Sequence, residues 1–506
     1  MPKSVSRFCL IPLVAVLLAA CSSSSKSAEP SADATTTTTA KAIAYAPKLE
    51  PRECGQPLPA DVKVTCSYLV VPEDRTKSGN EVRLAVTVLH SKAANPLPDP
   101  VVYLHGGPGG DESGLAEYYG DAPFLEQRDI VLYDQRGSGL SEPSLNCPEV
   151  DEAILARFTK LGTYEEEVGE RRAAVKACRD RLVADGIDLN QYDSEASATD
   201  LDDLRKALKV EKWNLLGVSY GTRLALTTMR SHPEGIRSVL LDSVYPTTVG
   251  GSQRQIDSGQ RSFDQLAKGC SEDPSCKQKY GDISVALQKA YDTLNKAPYS
   301  GTVDLGQPNG TIDLKVNGAD AIGGLFTAMY DHELIPALPS IIKQVGEGDY
   351  AIIPAIAQQG IPFATQFSEG AAMSIDCADS GAVDTAGTKK AVADPGKWAV
   401  VVSEASPSYC ELWDVEPLPA SFNEPVASDL PALVLAGTYD PVTPPADSKA
   451  AYEALTNATF AEVDGIGHGA ISSNECAYDV YRAFVDDPTQ KPDTSCIPKQ
   501  PPPAFG

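Results

Sequence analysis

The sequence predicts an α/β fold. A mostly parallel central sheet carries helices on both faces, and a large, mainly helical cap is inserted before the strand that leads to Asp440. Three observations carry this. Short apolar runs at 101–104, 129–133, 213–218 and 239–241 are separated by helix-like segments, and brief buried strands alternating with helices indicate a parallel sheet covered on both sides. The pattern stops after Pro246, where the chain turns richer in polar helices, glycine and proline. It resumes at 432–436 and 458–463, as expected for an insertion into an otherwise intact sheet.

Taken from the N-terminus, the first element is a leader. Lys3 and Arg7 precede an apolar segment at 8–20 that is shorter than the roughly 20 residues a bilayer span needs, so 1–20 reads as a signal peptide. Leu18-Ala19-Ala20-Cys21 resembles a bacterial lipobox, which would leave Cys21 as a lipidated N-terminus. Residues 21–48 hold a serine run and a threonine run with almost nothing apolar to bury, and read as a disordered tether. The expected location is the bacterial cell envelope, outside the cytoplasm and lipid-anchored to the membrane. A formal net charge of −26 argues against nucleic acid as a partner, because phosphates would be repelled.

After the tether, roughly 450 residues remain, too many for one compact core. Residues 49–246 are assigned to the first part of the core, 247–430 to the cap and 431–498 to the second part. The proline-rich end, 499–506, is expected to be disordered. Segments 66–71 and 82–89 read as an opening antiparallel pair, and 199–208 as a helix with Thr199 as its cap. A monomer is expected.

Of twelve cysteines, Cys9 lies in the leader and Cys21 in the lipobox. The other ten fall into consecutive close pairs, and an even count in an exported chain suggests disulfides. The expected bridges are Cys54–Cys66, Cys147–Cys178, Cys270–Cys276, Cys377–Cys410 and Cys476–Cys496, each closing a short loop. No Cys-x-x-Cys and no His-x-x-x-His occurs, so neither a metal site nor a cofactor is expected.

Gly217-Val218-Ser219-Tyr220-Gly221 carries the chemistry. The run 213–216 before it reads as a buried strand and 222–229 after it as a helix. A serine on so sharp a turn adopts strained backbone angles and lifts its Oγ above the sheet, while the flanking glycines let neighbouring backbone pass closely. The pentapeptide alone is common; the strand and helix beside it make it specific. Upstream, His105-Gly106-Gly107-Pro108-Gly109-Gly110 can approach a substrate carbonyl without side-chain hindrance. The amides of Gly107 and Tyr220 are the expected oxyanion donors, one such donor being worth roughly 3 kcal/mol. No Gly-Lys-Ser/Thr follows, which argues against a phosphate loop.

Asp440 stands just past the apolar run 432–436, and His468 lies in Gly465-Ile466-Gly467-His468-Gly469 beyond the next one. The order Ser219, Asp440, His468 is that of the α/β-hydrolases. His232 lies too close behind the elbow helix, and His332 sits in the cap away from a strand end, so His468 is the expected base. Asp242 is a rival acid, since it too ends a strand. Asp440 is preferred because a Gly-x-x-Asp after a buried strand is the commoner arrangement, and Thr443 is placed to hold its carboxylate.

His105-Gly-Gly-Pro-Gly109, Asp134-Gln-Arg-Gly-Ser-Gly-Leu-Ser141 and Gly217-Val-Ser-Tyr-Gly221 together resemble the signature series of the proline iminopeptidase group of α/β-hydrolase serine peptidases. The elbow, long cap, paired cysteines and exported chain make it most similar to the actinobacterial tripeptidyl aminopeptidases. That group includes a mycobacterial cell-envelope serine protease also described as a carboxylesterase. The resemblance implies hydrolysis of peptides from a free N-terminus, with the cap restricting access. The glutamate-bearing cap motif of single-proline-releasing enzymes is not found. Asp376, Asp379, Glu404 and Glu411 are the candidates for holding a substrate ammonium. A carboxylesterase acting on short acyl esters or envelope lipids is the alternative, and a non-catalytic binding protein on the same fold is the alternative of another class.

Overall fold

Alternation at period two explains how the central strands are buried on both faces. In β4 (Val101–Leu104), Val102 and Leu104 join one hydrophobic cluster while Val101 and Tyr103 join another. In β6 (Trp213–Val218), Leu215 and Leu216 divide in the same way, as do Leu241 and Leu240 in β7 (Ile236–Asp242). A strand apolar at every position can only sit between two covering layers. The computed structural model of the protein describes residues 43–306, 309–381, 383–497 and 503–505. Leader, lipobox Cys21 and most of the tether lie outside the described residues.

The main sheet has nine strands in the order β1-β2-β3-β5-β4-β6-β7-β10-β11. β1 (Lys48–Pro51), β2 (Val64–Pro72) and β3 (Glu81–Leu89) are antiparallel, and β3 meets β5 (Ile130–Tyr133) antiparallel as well. From β5 onward every pairing is parallel, through β10 (Ala432–Gly437) to the edge strand β11 (Ala458–Val463). Register then decides function. Leu104 pairs with Gly217, Val218 with Asp242, and Asp242 with Leu435, so the loops carrying His105, Ser219, Asp242, Asp440 and His468 all leave the same edge of the sheet.

Between β7 and β10 the chain is mostly helical and builds its own core around Phe263, Leu266, Leu287, Ile342 and Trp398. It also contains a hairpin, β8 (Tyr299–Asp304) with β9 (Thr311–Val316), that the sequence reading does not anticipate. Only Val303 of β8 is buried, so this strand alternates with polar residues and lacks the apolar run that marks the central strands. Two further expectations are corrected. The helix expected to start at Thr199 spans Ser194–Ala207, capped by Asp193, whose carboxylate accepts from Ala196 N at 2.7 Å. Thr199 instead bonds Glu195 O within it, because the buried face already includes Ser194, Ser197 and Ala198. Of the C-terminal segment 499–506, expected to be disordered, residues 503–505 are described, and Phe505 is buried against the insertion's core beside Tyr439.

All five bridges form as the sequence predicts, with Cα–Cα distances of 5.4, 5.4, 5.2, 5.3 and 6.1 Å in chain order, within the usual range. Their separations run from 6 to 33 residues. None joins the insertion to the rest of the fold. No helix among the described residues is long and apolar enough to cross a membrane.

Candidate active site

The elbow is held by contacts that only glycine permits. A Cβ on Gly221 would stand 1.9 Å from Leu104 O, and one on Gly106 2.8 Å from the Ser219 Cβ. The helix Tyr220–Ser231 can therefore pack against the end of β4 while the Gly106 backbone crosses directly beside the serine. Ser219 adopts φ 59° and ψ −127°, a strained conformation for a non-glycine residue. Tyr220 is the first residue of the helix, and Gly107, at φ 114°, lies on the adjacent loop. Gly107 follows Gly106, whose backbone crosses beside the serine, and Tyr220 follows Ser219 in the chain.

His468 meets Asp440. The imidazole Nδ1 lies 2.8 Å from Asp440 Oδ2. Thr443 Oγ1 donates to that same oxygen at 2.7 Å, and the amides of Val442 and Thr443 donate to Oδ1 at 2.9 and 2.8 Å. Burial alone would raise the Asp440 carboxyl, but His468 and these donors hold it below its ordinary value. Burial likewise opposes charge on His468, and the Asp440 carboxylate outweighs it, so the imidazole stands above its ordinary 6.5.

Asp242 takes a different part. Its carboxylate accepts from Ala470 N at 3.0 Å and Ile471 N at 2.8 Å, while Ser243 Oγ accepts from Gly469 N at 2.9 Å. Its backbone carbonyl accepts from Ser219 N at 3.1 Å. Asp242 thereby ties the elbow to the loop that carries His468. Burial pushes its carboxyl up to about 6. The rival acid is a clamp.

The insertion supplies a wall to this site. Tyr330 O accepts from His468 N at 3.1 Å, and its ring lies 4.9 Å from the imidazole. Phe367 stacks edge-on to His105, and Ser368 N donates to Gly109 O at 2.9 Å. Arg261 Nη1 donates to Thr438 O at 2.9 Å. Three loops at the site, the glycine-rich one, the acid's and the one carrying His468, are thus bonded to the insertion. Beside Tyr330 and Phe367 lies a cavity of about 200 Å³ that also takes in Phe326, Phe363, Glu369 and Glu404.

Of the four ammonium candidates, only Glu404 lines this cavity. Asp379 is buried under the elbow helix, accepting from Ser194 N at 3.2 Å, with Arg223 at 4.0 Å. Asp376 is buried beside Arg223, and burial pushes it up to about 6. Both sit on the helix Glu369–Ser380, which is buried from Gly370 onward. Glu411 is exposed at the surface near Lys389, 3.8 Å away. The residue that sequence reasoning missed is Glu369, the first residue of the same helix, which pairs with Arg171 at 3.1 Å. Nothing in its local sequence marks it, because the cavity is assembled from distant segments.

Asp202, His232 and Glu234 bring potential ligand atoms within 4.8 Å of one another. Asp202 is already paired with Arg205 at 2.8 Å and Lys206 at 2.5 Å. The group lies past the opposite end of the elbow helix from Ser219.

A family model described as alpha/beta hydrolase fold matches residues 99–475, well over half the chain. The protein belongs to this family. Among curated proteins, this α/β-hydrolase is 24% identical over 404 residues to the serine protease Hip1 of Mycobacterium tuberculosis, covering 75% of this chain and 76% of that one. It is 31% identical over 192 residues to a tripeptidyl aminopeptidase of Streptomyces coelicolor, covering 36% and 35%. Among solved structures, a proline iminopeptidase of Mycobacterium smegmatis matches at 15% identity with a TM-score of 0.39, covering 83% of this chain and 98% of that one. The protein is a hydrolase with peptidase relatives.

Proposed function

We propose that the protein is an exported serine hydrolase that releases short peptides from a free N-terminus, in the manner of a tripeptidyl aminopeptidase. His468 takes the Ser219 proton as Oγ attacks the substrate carbonyl carbon. The amides of Gly107 and Tyr220 receive the oxyanion that forms. His468 then returns the proton to the leaving amine, and water hydrolyses the acyl-enzyme by the same relay. Asp440 keeps the imidazole in the tautomer with its proton on Nδ1.

The observation that carries the aminopeptidase reading is the charge balance of the cavity beside His468. Glu369 and Glu404 line it, with Asp320 bonded to Arg157 and Asp151 near Glu369, against the two guanidinium groups of Arg157 and Arg171. Burial raises the carboxyls of Glu369 and Asp320, and that of Asp151 to about 6. Partly buried carboxylates that outnumber the cations beside them favour an incoming ammonium, and the N-terminus of a peptide supplies one. A neutral ester does not.

Rates on matched peptides with free and acetylated N-termini, run beside short-chain nitrophenyl esters, test this. The free peptides should be cleaved at least about a hundredfold faster in kcat/KM, the loss expected when a buried charge goes unpaired. Glu404→Gln and Glu369→Gln should raise KM for free peptides more than they lower kcat. Equal cleavage of blocked and free peptides would reject the reading. The aromatic lining of Phe326, Tyr330, Phe363 and Phe367 favours the second reading, a carboxylesterase for short acyl esters or envelope lipids. A non-catalytic binding protein predicts no covalent labelling of Ser219 by a fluorophosphonate.

The lipobox supports attachment to the cell membrane through Cys21. Cys21→Ala should abolish incorporation of a fatty-acid probe and release the protein from the membrane fraction. Unchanged labelling would reject the anchor.

A further inference from the structure

A second chamber lies between the insertion's helices Gly318–Ala328, Leu338–Glu347 and Ile353–Ala364 and the core residues Arg157 and Phe158. Its volume is about 90 Å³, several times the space a single water needs. Its wall is aliphatic, including Leu314, Ile341, Ile353 and Ile356, while Arg157, Asp320 and Glu404 form a polar group along it. Gly323, Thr327, Ala364, Val400 and Glu404 line both this chamber and the cavity beside His468. The two spaces share a wall made mostly of small side chains.

Gly360 supplies an independent observation. It sits inside the helix Ile353–Ala364, its φ is not positive, and a Cβ there would meet nothing within 4 Å. Glycine in a helix interior costs about 1 kcal/mol relative to alanine, and no close packing requires it here. Gly360 lines the chamber, so a large side chain placed there is a means to fill it.

We propose that this chamber receives the side chain of the substrate's N-terminal residue, so that peptides beginning with a large apolar residue are the preferred substrates. The inference rests on the aminopeptidase reading above. An N-terminal residue carries its ammonium and its side chain on the same Cα. If the ammonium is held at Glu404 and Glu369, the side chain stands where Glu404 borders the chamber. Transfer of an aliphatic or aromatic group into such a space is favourable in proportion to the area it buries. An ester's acyl chain could fill the chamber but would leave the carboxylates without their cation, which is why the peptide is favoured.

The test uses tripeptide nitroanilides with free amines that differ only at the first residue (glycine, alanine, leucine or phenylalanine), on the wild type, Gly360→Ala and Gly360→Phe. Acetylated forms and nitrophenyl esters of increasing chain length run beside them. In the wild type, kcat/KM should rise about tenfold or more from glycine to leucine or phenylalanine. Gly360→Phe should erase that rise, bringing the leucine and phenylalanine peptides down to the rate of the glycine peptide, and Gly360→Ala should preserve it. Should Gly360→Phe fail to fold, the wild-type series decides alone. A flat series on peptides that require a free amine overturns the chamber assignment and leaves the aminopeptidase reading standing. Turnover of esters without any free-amine peptide overturns both. Ester rates that climb with chain length and fall only in Gly360→Phe would assign the chamber to an acyl chain, and the proposal would be wrong.

Discussion

Ser219→Ala is expected to fold as the wild type does and to lose about a millionfold in kcat on any acyl substrate, the magnitude seen when an elbow nucleophile is removed. The elbow's geometry explains why folding is spared. Its close contacts are made by the glycines at 106, 217 and 221 and by backbone atoms, and Ser219 enters them through its N–H to Asp242 O and its carbonyl, which accepts from Thr222. Removing Oγ touches none of these. Matched circular dichroism and thermal midpoints, with loss of fluorophosphonate labelling, check the result. Residual activity above a tenth of wild type would move the nucleophile elsewhere.

Asp440→Asn and Asp242→Asn should separate cleanly. Asp440→Asn should lower kcat about ten-thousandfold, because an amide in place of the carboxylate no longer enforces the Nδ1–H tautomer or stabilises the imidazolium. It should also move the acid limb of the pH–rate profile. In the wild type, His468 stands above 6.5 because of the Asp440 charge, and the base must be neutral, so activity rises with pH through a value above 6.5. With that charge gone, burial dominates and the limb shifts to lower pH. Asp242→Asn should instead cost about 1–3 kcal/mol of stability, since Ala470 N and Ile471 N donate to different carboxylate oxygens and one of these becomes an NH2 facing a donor. Its kinetic effect should be much smaller than that of Asp440→Asn. Thermal melts and pH–rate profiles of the two variants decide this, and the reverse pattern would make Asp242 the acid.

The difference between those two aspartates marks how far sequence reaches here. Both end buried strands, and both stand on loops leaving the same sheet edge. Pattern identifies each as a carboxylate at a functional edge. Which one meets His468 depends on the path of the loop after β11, where Gly467 passes against the carbonyls of Met329 and Tyr330. Those carbonyls belong to the insertion, more than a hundred residues upstream, and no local signal in the sequence carries their position. Three of the four ammonium candidates fall outside the cavity for the same reason, and of the four Glu404 alone lines it. Asp376 and Asp379 look like surface carboxylates around Cys377, but the helix that carries them faces the fold's interior. Glu369, at its first turn, faces the cavity instead.

What the sequence by itself determined is whatever short-range chemistry dictates: the parallel core from its apolar runs, the elbow from its glycines, the order Ser219, Asp440, His468, and five bridges between neighbouring cysteines. Each depends on residues adjacent in the chain or on a pattern repeated along it. Only the tertiary structure showed Asp440 bonded to His468, the ring of Tyr330 against His468, the pairing of Glu369 with Arg171 and the chamber beside Gly360. These arise where segments far apart in the chain meet, and the free energy that holds them there comes from burial summed over the whole insertion rather than from any run of residues within it.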